Sequence, residues 1–575
     1  MPLIFQHLRR PRGWLLLGLL AFFGAFLVYP VAFMFRRAFG QEGEFTFRYF
    51  TLLLENPFVR RSIVGSFALA TLTTVLTSLV AVPLAQALTR WRFAGRQVLS
   101  TALLVPMILP PFVGGIGLKQ VLARYGSLNL TLMDLGWMDR AHPVDWLGEG
   151  GFWGIVLLQV LSLYPILFLN VSAAMANVDP SLGEAAGILG ASAWRRFRTV
   201  TLPLILPGWF AGASVVWIWS FTDLGTPLIF GYSRLVAVQI WDATNDLNTN
   251  PQGYTLALFV LLLTVTLYLV SRRGMAGRRV EMMSRGHSGS AETPARPWQA
   301  ALVWLGAGSL LAVALLPHLG ILAQSLAGRW FLSVLPDSWT GQHFGEVFGH
   351  GLTGSSIRNS LAYSATSAFV DVVLGAGIAW LLTRCRIPFA GLLDALAMLP
   401  LALPGLVLAF GLYAGFNIAE KDHPGLDSWL DPRTNPTFLL VVSYSVRRLP
   451  YIVRAATAGL QQTHVVLEEA SASLGAGPWT TLRRVTVPLV AANLVAGGIL
   501  TFAFAMLEVS DSLILAQRDR FFPMTKMIWQ LMGRIDPSAP SVASALGIVG
   551  MGILLASLAL AGKLMGRSLG QLFRA

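Results

Sequence analysis

Four carboxylates stand in stretches that are otherwise too apolar to solvate a charge: Asp223, Asp371, Glu508 and Asp511. An ionisable group at membrane depth costs roughly 2.5–3.5 kcal/mol on insertion scales, so it faces a cavity or a partner. Asp223 is followed by Leu-Gly-Thr-Pro and Glu508 by Val-Ser-Asp, and both runs interrupt a helix. Asp223 and Glu508 are 285 residues apart. Two related acids beside helix breaks suit a gate or a cation-compatible pathway, with Asp511 in the same cluster. The plain alternative is that each acid sits at headgroup level and pairs with a nearby Arg. Asp371 has only Thr77 at its matching place and is expected to face another helix.

No other residues offer a reaction. The eight histidines show neither an H-E-x-x-H run nor paired spacing, so no metal site is expected. The single cysteine, Cys385, allows no intrachain disulfide and no thiolate cluster. Gly562-Lys563 is followed by Leu564 and lacks the upstream Gly of a phosphate cradle. A membrane-embedded enzyme therefore has no catalytic constellation to work with. Energy for any transport must come from another subunit or from an ion gradient.

The elements that hold these acids are read from composition. The chain is 55% hydrophobic and 12% charged, with a mean hydropathy of +0.63. Soluble domains carry about 25% charged residues, so lipid is the solvent for much of this chain. The net charge is +14. Its basic residues gather in short segments between apolar runs, which is the pattern of cytoplasmic loops. No aromatic-basic surface accompanies them, so no nucleic-acid partner is expected.

Apolar runs long enough to span a bilayer occur near 14–35, 62–88, 98–118, 152–175, 204–230, 253–271, 299–324, 357–383, 392–416, 436–458, 489–516 and 541–562. They predict an all-α membrane protein of about twelve spans. Arg9, Arg10 and Arg12 precede the first run, which has no cleavage site after it, so an uncleaved helix with a cytoplasmic N-terminus is expected. The inside loops then hold Arg90, Arg92 and Arg96; Arg195, Arg196 and Arg198; Arg384 and Arg386; Arg447, Arg448 and Arg454; and Arg483 and Arg484. The outside loops mix Arg60, Arg61, Lys119 and Arg518 with acids. Residues 272–298 are polar, basic and rich in Gly and Ser, and read as a flexible cytoplasmic linker between halves 1–271 and 299–575.

The halves repeat each other. Ser66 matches Ser360, Pro106 matches Pro400, Pro110 matches Pro404 and Gly117-Leu118 matches Gly411-Leu412, each 294 residues apart. Farther on the offset is 285, as for Pro165 and Pro450, and one outside loop that is nine residues shorter accounts for the change. Six spans per half is an even number, so the repeat is parallel rather than inverted.

The longest matching block lies between the fourth and fifth spans of each half. The first copy reads EAAGILGASAWRRFRTVTLP, from Glu184, Ala185 and Ala186 through Gly190 and Trp194 to Pro203. The second reads EASASLGAGPWTTLRRVTVP, from Glu469 and Ala470 through Gly475 and Trp479 to Pro488. Small residues allow close approach to another surface, the Gly permits a sharp turn, and the Pro ends the segment before the next span. This block resembles the EAA loop of binding-protein-dependent ABC importer permeases. Val200, Ser471, Val485 and Val487 are its only departures, all mild in size.

The resemblance implies the type I fold, in its fused two-half form, with a cytoplasmic coupling helix in each half. It implies two copies of a cytoplasmic ABC ATPase, which bring ATP and Mg, and a periplasmic or lipid-anchored substrate-binding protein. No cofactor is implied for this chain itself. Glu184 and Glu469 are expected to cap or orient the coupling helices. The location implied is a bacterial inner membrane. The stretches FTDLGTPLIFG (221–231) and LEVSDSLILA (507–516) look most like ferric-iron permeases. Thiamine, phosphonate and phosphorylated-sugar systems use the same machinery. A gradient-driven secondary transporter is the competing class, and the paired loops have no role in it.

Overall fold

A computed structural model describes residues 11–40, 45–108, 110–247, 251–276, 293–349, 351–422 and 430–565. The centre of the expected linker lies outside them. Among the described residues, nine helices are long and apolar enough to cross a membrane: α1 (Arg12–Phe39), α2 (Pro57–Arg90), α4 (Glu149–Ala176), α5 (Ala193–Thr222), α6 (Gln252–Val270), α7 (Pro297–Ser325), α8 (Gly351–Arg384), α11 (Pro478–Met506) and α12 (Ala539–Leu560). Two bent pairs fill the third place of each half. They are α3 (Arg96–Met107 with Pro111–Asp134, bent by 93°) and α9 (Ala390–Leu401 with Gly405–Asn417, bent by 106°). The bends fall at the matched prolines, Pro106 and Pro110 against Pro400 and Pro404, where a missing N–H and a fixed φ stop the helix. α10 (Thr437–Gln462) is 26 residues long but carries Arg447, Arg448 and Arg454, and does not pass on composition. Extended pairing among the described residues is confined to two short two-stranded ladders.

Spans five and eleven stop sooner than the apolar runs suggested. α5 ends at Thr222 and α11 at Met506. Each is followed by a six-residue helix, Gly225–Phe230 and Ser510–Leu515. Their last turns are closed by lysines: Lys119 Nζ donates to Ile229 O at 3.2 Å, and Lys526 Nζ to Leu513 O at 2.9 Å. A cation beside the last carbonyls satisfies acceptors that have no helical donor.

The halves exchange their first helices. α1 lies against the second half: Phe26 stacks on Phe416 at 5.9 Å and Tyr29 Oη donates to Gly415 O at 3.3 Å. α7 lies against the first half, where Val303, Ala307 and Ala314 join a core with Leu99, Tyr164 and Val216. Both seats centre on one matched glycine. A Cβ at Gly411 would meet Met34 and Pro30 at 3.0–3.2 Å, and one at Gly117 would meet the backbone of Ile321 at 2.7 Å. Small residues at such crossings let backbones approach where lipid offers no hydrophobic drive. The chain re-enters the described region on the first half as well: Trp91 and Arg92 pair in parallel with Thr293 and Pro294.

Candidate functional site

The outer ends of the two halves meet at their helix breaks. A side chain at Gly225 would lie 2.8 Å from Val509 of the other half, so the two interrupted segments touch across the boundary. Above them stand two short helices, Val236–Asp242 and Met524–Met532. The first N–H of each is taken by the matched serines: Val236 N donates to Ser66 Oγ at 2.9 Å and Met524 N to Ser360 Oγ at 2.7 Å. These helices carry Trp241 and Trp529 into contact with each other.

The related acids have different surroundings. Asp223 Oδ2 accepts from Gln159 Nε2 at 3.1 Å, and Oδ1 accepts from Gly225 N at 3.1 Å and Thr226 N at 3.4 Å. It caps the short helix that follows it. Gln159 Oε1 in turn accepts from Ser220 and Thr73. Glu508 instead meets two guanidiniums. Arg447 Nη1 is 2.5 Å from Glu508 Oε2, and Arg448 Nη2 pairs with the same oxygen. Asp511 accepts from Arg447 Nη1 at 3.2 Å and from Ser443 Oγ at 2.9 Å. The positions in the first half that correspond to Arg447 and Arg448 are Ser162 and Leu163, 285 residues earlier.

Arg447 and Arg448 are therefore not in an inside loop. They sit in the middle of α10, and Arg448 is only 8% exposed. Buried guanidiniums persist only when paired and hydrogen-bonded. The charge rule misplaced them because their counter-ions are about 60 residues away in sequence. Two adjacent arginines within an apolar run were the available signal, as was Gln159 for the first half. Gly405 leaves room for Arg447, since any side chain there would overlap its guanidinium.

On the other side of the molecule, each matched block forms the same unit. Helix Pro180–Ile188 ends at Gly190 with φ +81°, and helix Val466–Ser473 ends at Gly475 with φ +85°. Ala191 N donates to Ala186 O at 2.9 Å and Gly190 N to Gly187 O at 3.0 Å; Ala476 N to Ser471 O and Gly475 N to Ala472 O repeat this at 3.1 and 2.9 Å. This is a Schellman close, which needs a left-handed residue at the glycine. Nothing lies within 4 Å of either missing Cβ, so backbone conformation and not crowding selects glycine. A short helix follows, then a π-helical turn at Phe197–Thr201 or Leu482–Thr486, and then the Pro203 or Pro488 span. π-turns inside α-helices recur at functional sites.

The caps are not the expected ones. Asp179, whose Oδ1 accepts from Ser181 N at 2.9 Å, caps the first helix, and Glu184 is exposed at its fifth residue. Glu469 lies in the first turn of the second helix, where its charge favours the helix dipole without a capping bond. Both loops present large apolar side chains. Leu189 and Leu474 are 87% and 89% exposed, and Trp194 and Trp479 about 70%. Exposed side chains of this size mark a surface that a partner covers. The second loop is tethered by Arg384, whose Nε contacts Glu468 Oε1 at 3.2 Å, and the position matching Glu468 in the first loop is Gly183, which has no side chain to pair in this way. Among the described residues no group of three His, Cys, Asp or Glu could hold a metal ion.

The same residues can be set against known proteins. Over 511 residues the chain is 28% identical to a putative ferric transport system permease protein of Haemophilus influenzae, covering 87% of this chain and 77% of that one. It is 26% identical over 548 residues to a ferric transport system permease protein of Actinobacillus pleuropneumoniae, covering 94% and 76%. A molybdenum transport system permease protein of Escherichia coli is 30% identical over 189 residues, which is 32% of this chain and 77% of that one. A family model described as the binding-protein-dependent transport system inner membrane component matches residues 74–276 and again 372–571, once in each half of the repeat. The chain accordingly belongs to the family of binding-protein-dependent transport system inner membrane components, and carries the family's domain twice in one polypeptide.

Proposed function

We propose that this chain is the fused two-half permease of an ATP-driven importer for ferric iron. The observation that carries the cargo is similarity along most of the chain to permeases named for ferric transport. A periplasmic or lipid-anchored binding protein delivers the iron at the outer face. Two copies of a cytoplasmic ATPase, holding ATP and Mg, dock on the blocks Glu184–Pro203 and Glu469–Pro488. Leu189, Trp194, Leu474 and Trp479 fill grooves on those subunits. With α10 counted, twelve helices cross the inner membrane, and the N-terminus lies in the cytoplasm.

Cargo passes between the halves beside Asp223, Glu508 and Asp511. Arg447 and Arg448 neutralise the second-half acids, while Asp223 is held by Gln159 and the N–H groups of Gly225 and Thr226.

The test is ATP hydrolysis by the chain in nanodiscs with its ATPase and binding protein. Ferric-loaded binding protein should stimulate hydrolysis. Stimulation by thiamine, a phosphonate or a phosphorylated sugar instead would replace the cargo and keep the machinery. Failure of any ATPase to bind would move the assignment to a gradient-driven transporter.

A further inference from the structure

Asp371 has no part in the pathway proposed above. Asp371 is fully buried in α8, and neither carboxylate oxygen has a hydrogen-bond partner. Arg448, 8% exposed, has its Nη2 on Glu508 and on Phe504 O, yet its Nε is buried without a partner. A buried charge is costly unless it is paired, and an ionisable group at membrane depth is a functional residue with a partner to be identified.

The helix register sets the two groups opposite each other. Ser445 Oγ of α10 donates to Ser367 of α8, an offset of 78. Two turns farther along, Gly375 packs against Ile452, an offset of 77. Asp371 and Arg448 lie between these two contacts, also at offset 77. Arg448 is the cation whose charge acts on Asp371. Pro450, two residues on, removes one helical hydrogen bond from α10 and loosens it at this point. Glu508 loses little if Arg448 leaves, because Arg447 remains on the same oxygen.

We propose that Asp371 is the second counter-ion of Arg448. When the outer contacts open, the guanidinium turns from Glu508 to Asp371, leaving Glu508 and Asp511 to share Arg447, so that this pair offers one negative charge to a cation entering from the binding protein. The exchange exists in one half only, since the matching residues are Thr77 and Leu163. The inference rests on the importer reading, and it assigns Asp371 as a positioning residue acting through Arg448.

The experiment uses the reconstituted complex with D371N, D371E, R448Q and D371N/R448Q. D371N should melt no lower than the wild type without nucleotide, because the amide has the same shape and keeps one oxygen where the carboxylate stands. Its binding-protein-stimulated ATP hydrolysis and iron uptake should fall by about tenfold, within the usual range of coupling between sites. D371E should retain most activity, and D371N should add nothing to R448Q. Wild-type transport by D371N overturns the exchange. A lowered melting point that accompanies the loss also overturns it, since Asp371 would then serve the resting fold. If the wild-type complex itself shows no stimulation by any loaded binding protein, the importer reading fails and the exchange with it.

Discussion

Trp241 and Trp529 stand edge to face across the boundary of the two halves, with ring centroids 5.4 Å apart and planes at 78°. They occupy matching places on matching helices, each anchored by its own serine. The contact joins the two halves, as do Gly225 and Val509. An edge-to-face pair contributes about 0.5–1.5 kcal/mol beyond its burial. W241A or W529A should therefore shift the closed–open equilibrium by about two- to twelvefold. The shift would be read as raised ATP hydrolysis in the absence of binding protein. W241A/W529A should be no worse than either single change; additive effects would show that the rings act separately.

The turn glycines offer a test of the proposed ATPase docking. Gly190 and Gly475 need a left-handed backbone but have open space around them. G190V and G475V should each strain the turn by about 1–2 kcal/mol and lower stimulated hydrolysis. G190N and G475N should be tolerated, because Asn visits that region readily. Equal damage from Val and Asn would show that bulk, not conformation, matters there.

The two related acids should respond unequally to neutralisation. E508Q leaves two buried guanidiniums short of a partner, and breaking such a pair costs about 3–5 kcal/mol. Its melting temperature and yield should drop markedly. D223N keeps an oxygen on the N–H groups of Gly225 and Thr226 and should cost about 1 kcal/mol. Thermal unfolding of both variants in detergent measures the difference, and equal losses would contradict the asymmetry.

Charge reversal at the loops separates docking from folding. E184K/E469K touches two exposed side chains, so insertion and melting should stay near the wild type, within about 0.5 kcal/mol. Co-purification of the ATPase and uptake should both fall. Full uptake would remove these blocks from the coupling role.

R384Q frees the second loop from α8; the same guanidinium also donates to Leu460 O and Thr463 O at the end of α10, at 2.8 Å each. It should raise hydrogen exchange over 466–473, whereas R90Q should leave 180–188 unchanged. Matched increases in both loops would contradict a one-sided tether.

Much of this was legible in the residues. The offsets of 294 and 285 placed the repeat, and the matched serines, prolines and glycines each proved to have a structural task. The prolines bend α3 and α9, the serines cap the outer helices, and the glycines seat the exchanged helices. The pairing of Glu508 was not legible, because electrostatic partners can lie anywhere in the chain and the positive-inside pattern reads every arginine as a loop residue. The exchange of α1 and α7 was also hidden. Apolar helix faces carry little that names their partner, so Phe26 and Phe416 give no sign that they meet. Nor do FRTVT and LRRVT announce a π-turn, since the same residues suit an ordinary helix.

The crossed seating of α1 and α7 also governs how the molecule is made. When the first half has left the ribosome, Phe26, Tyr29 and Met34 await surfaces some 380 residues downstream, and Gly117 awaits α7. α1 can meet α6 of its own half early, through Phe33 and Tyr254, but its face toward the second half must wait in the lipid until the last third of the chain arrives. Fusion keeps the late partner at high effective concentration throughout that wait. Two separately translated halves would have to find each other by diffusion before either could finish its interior.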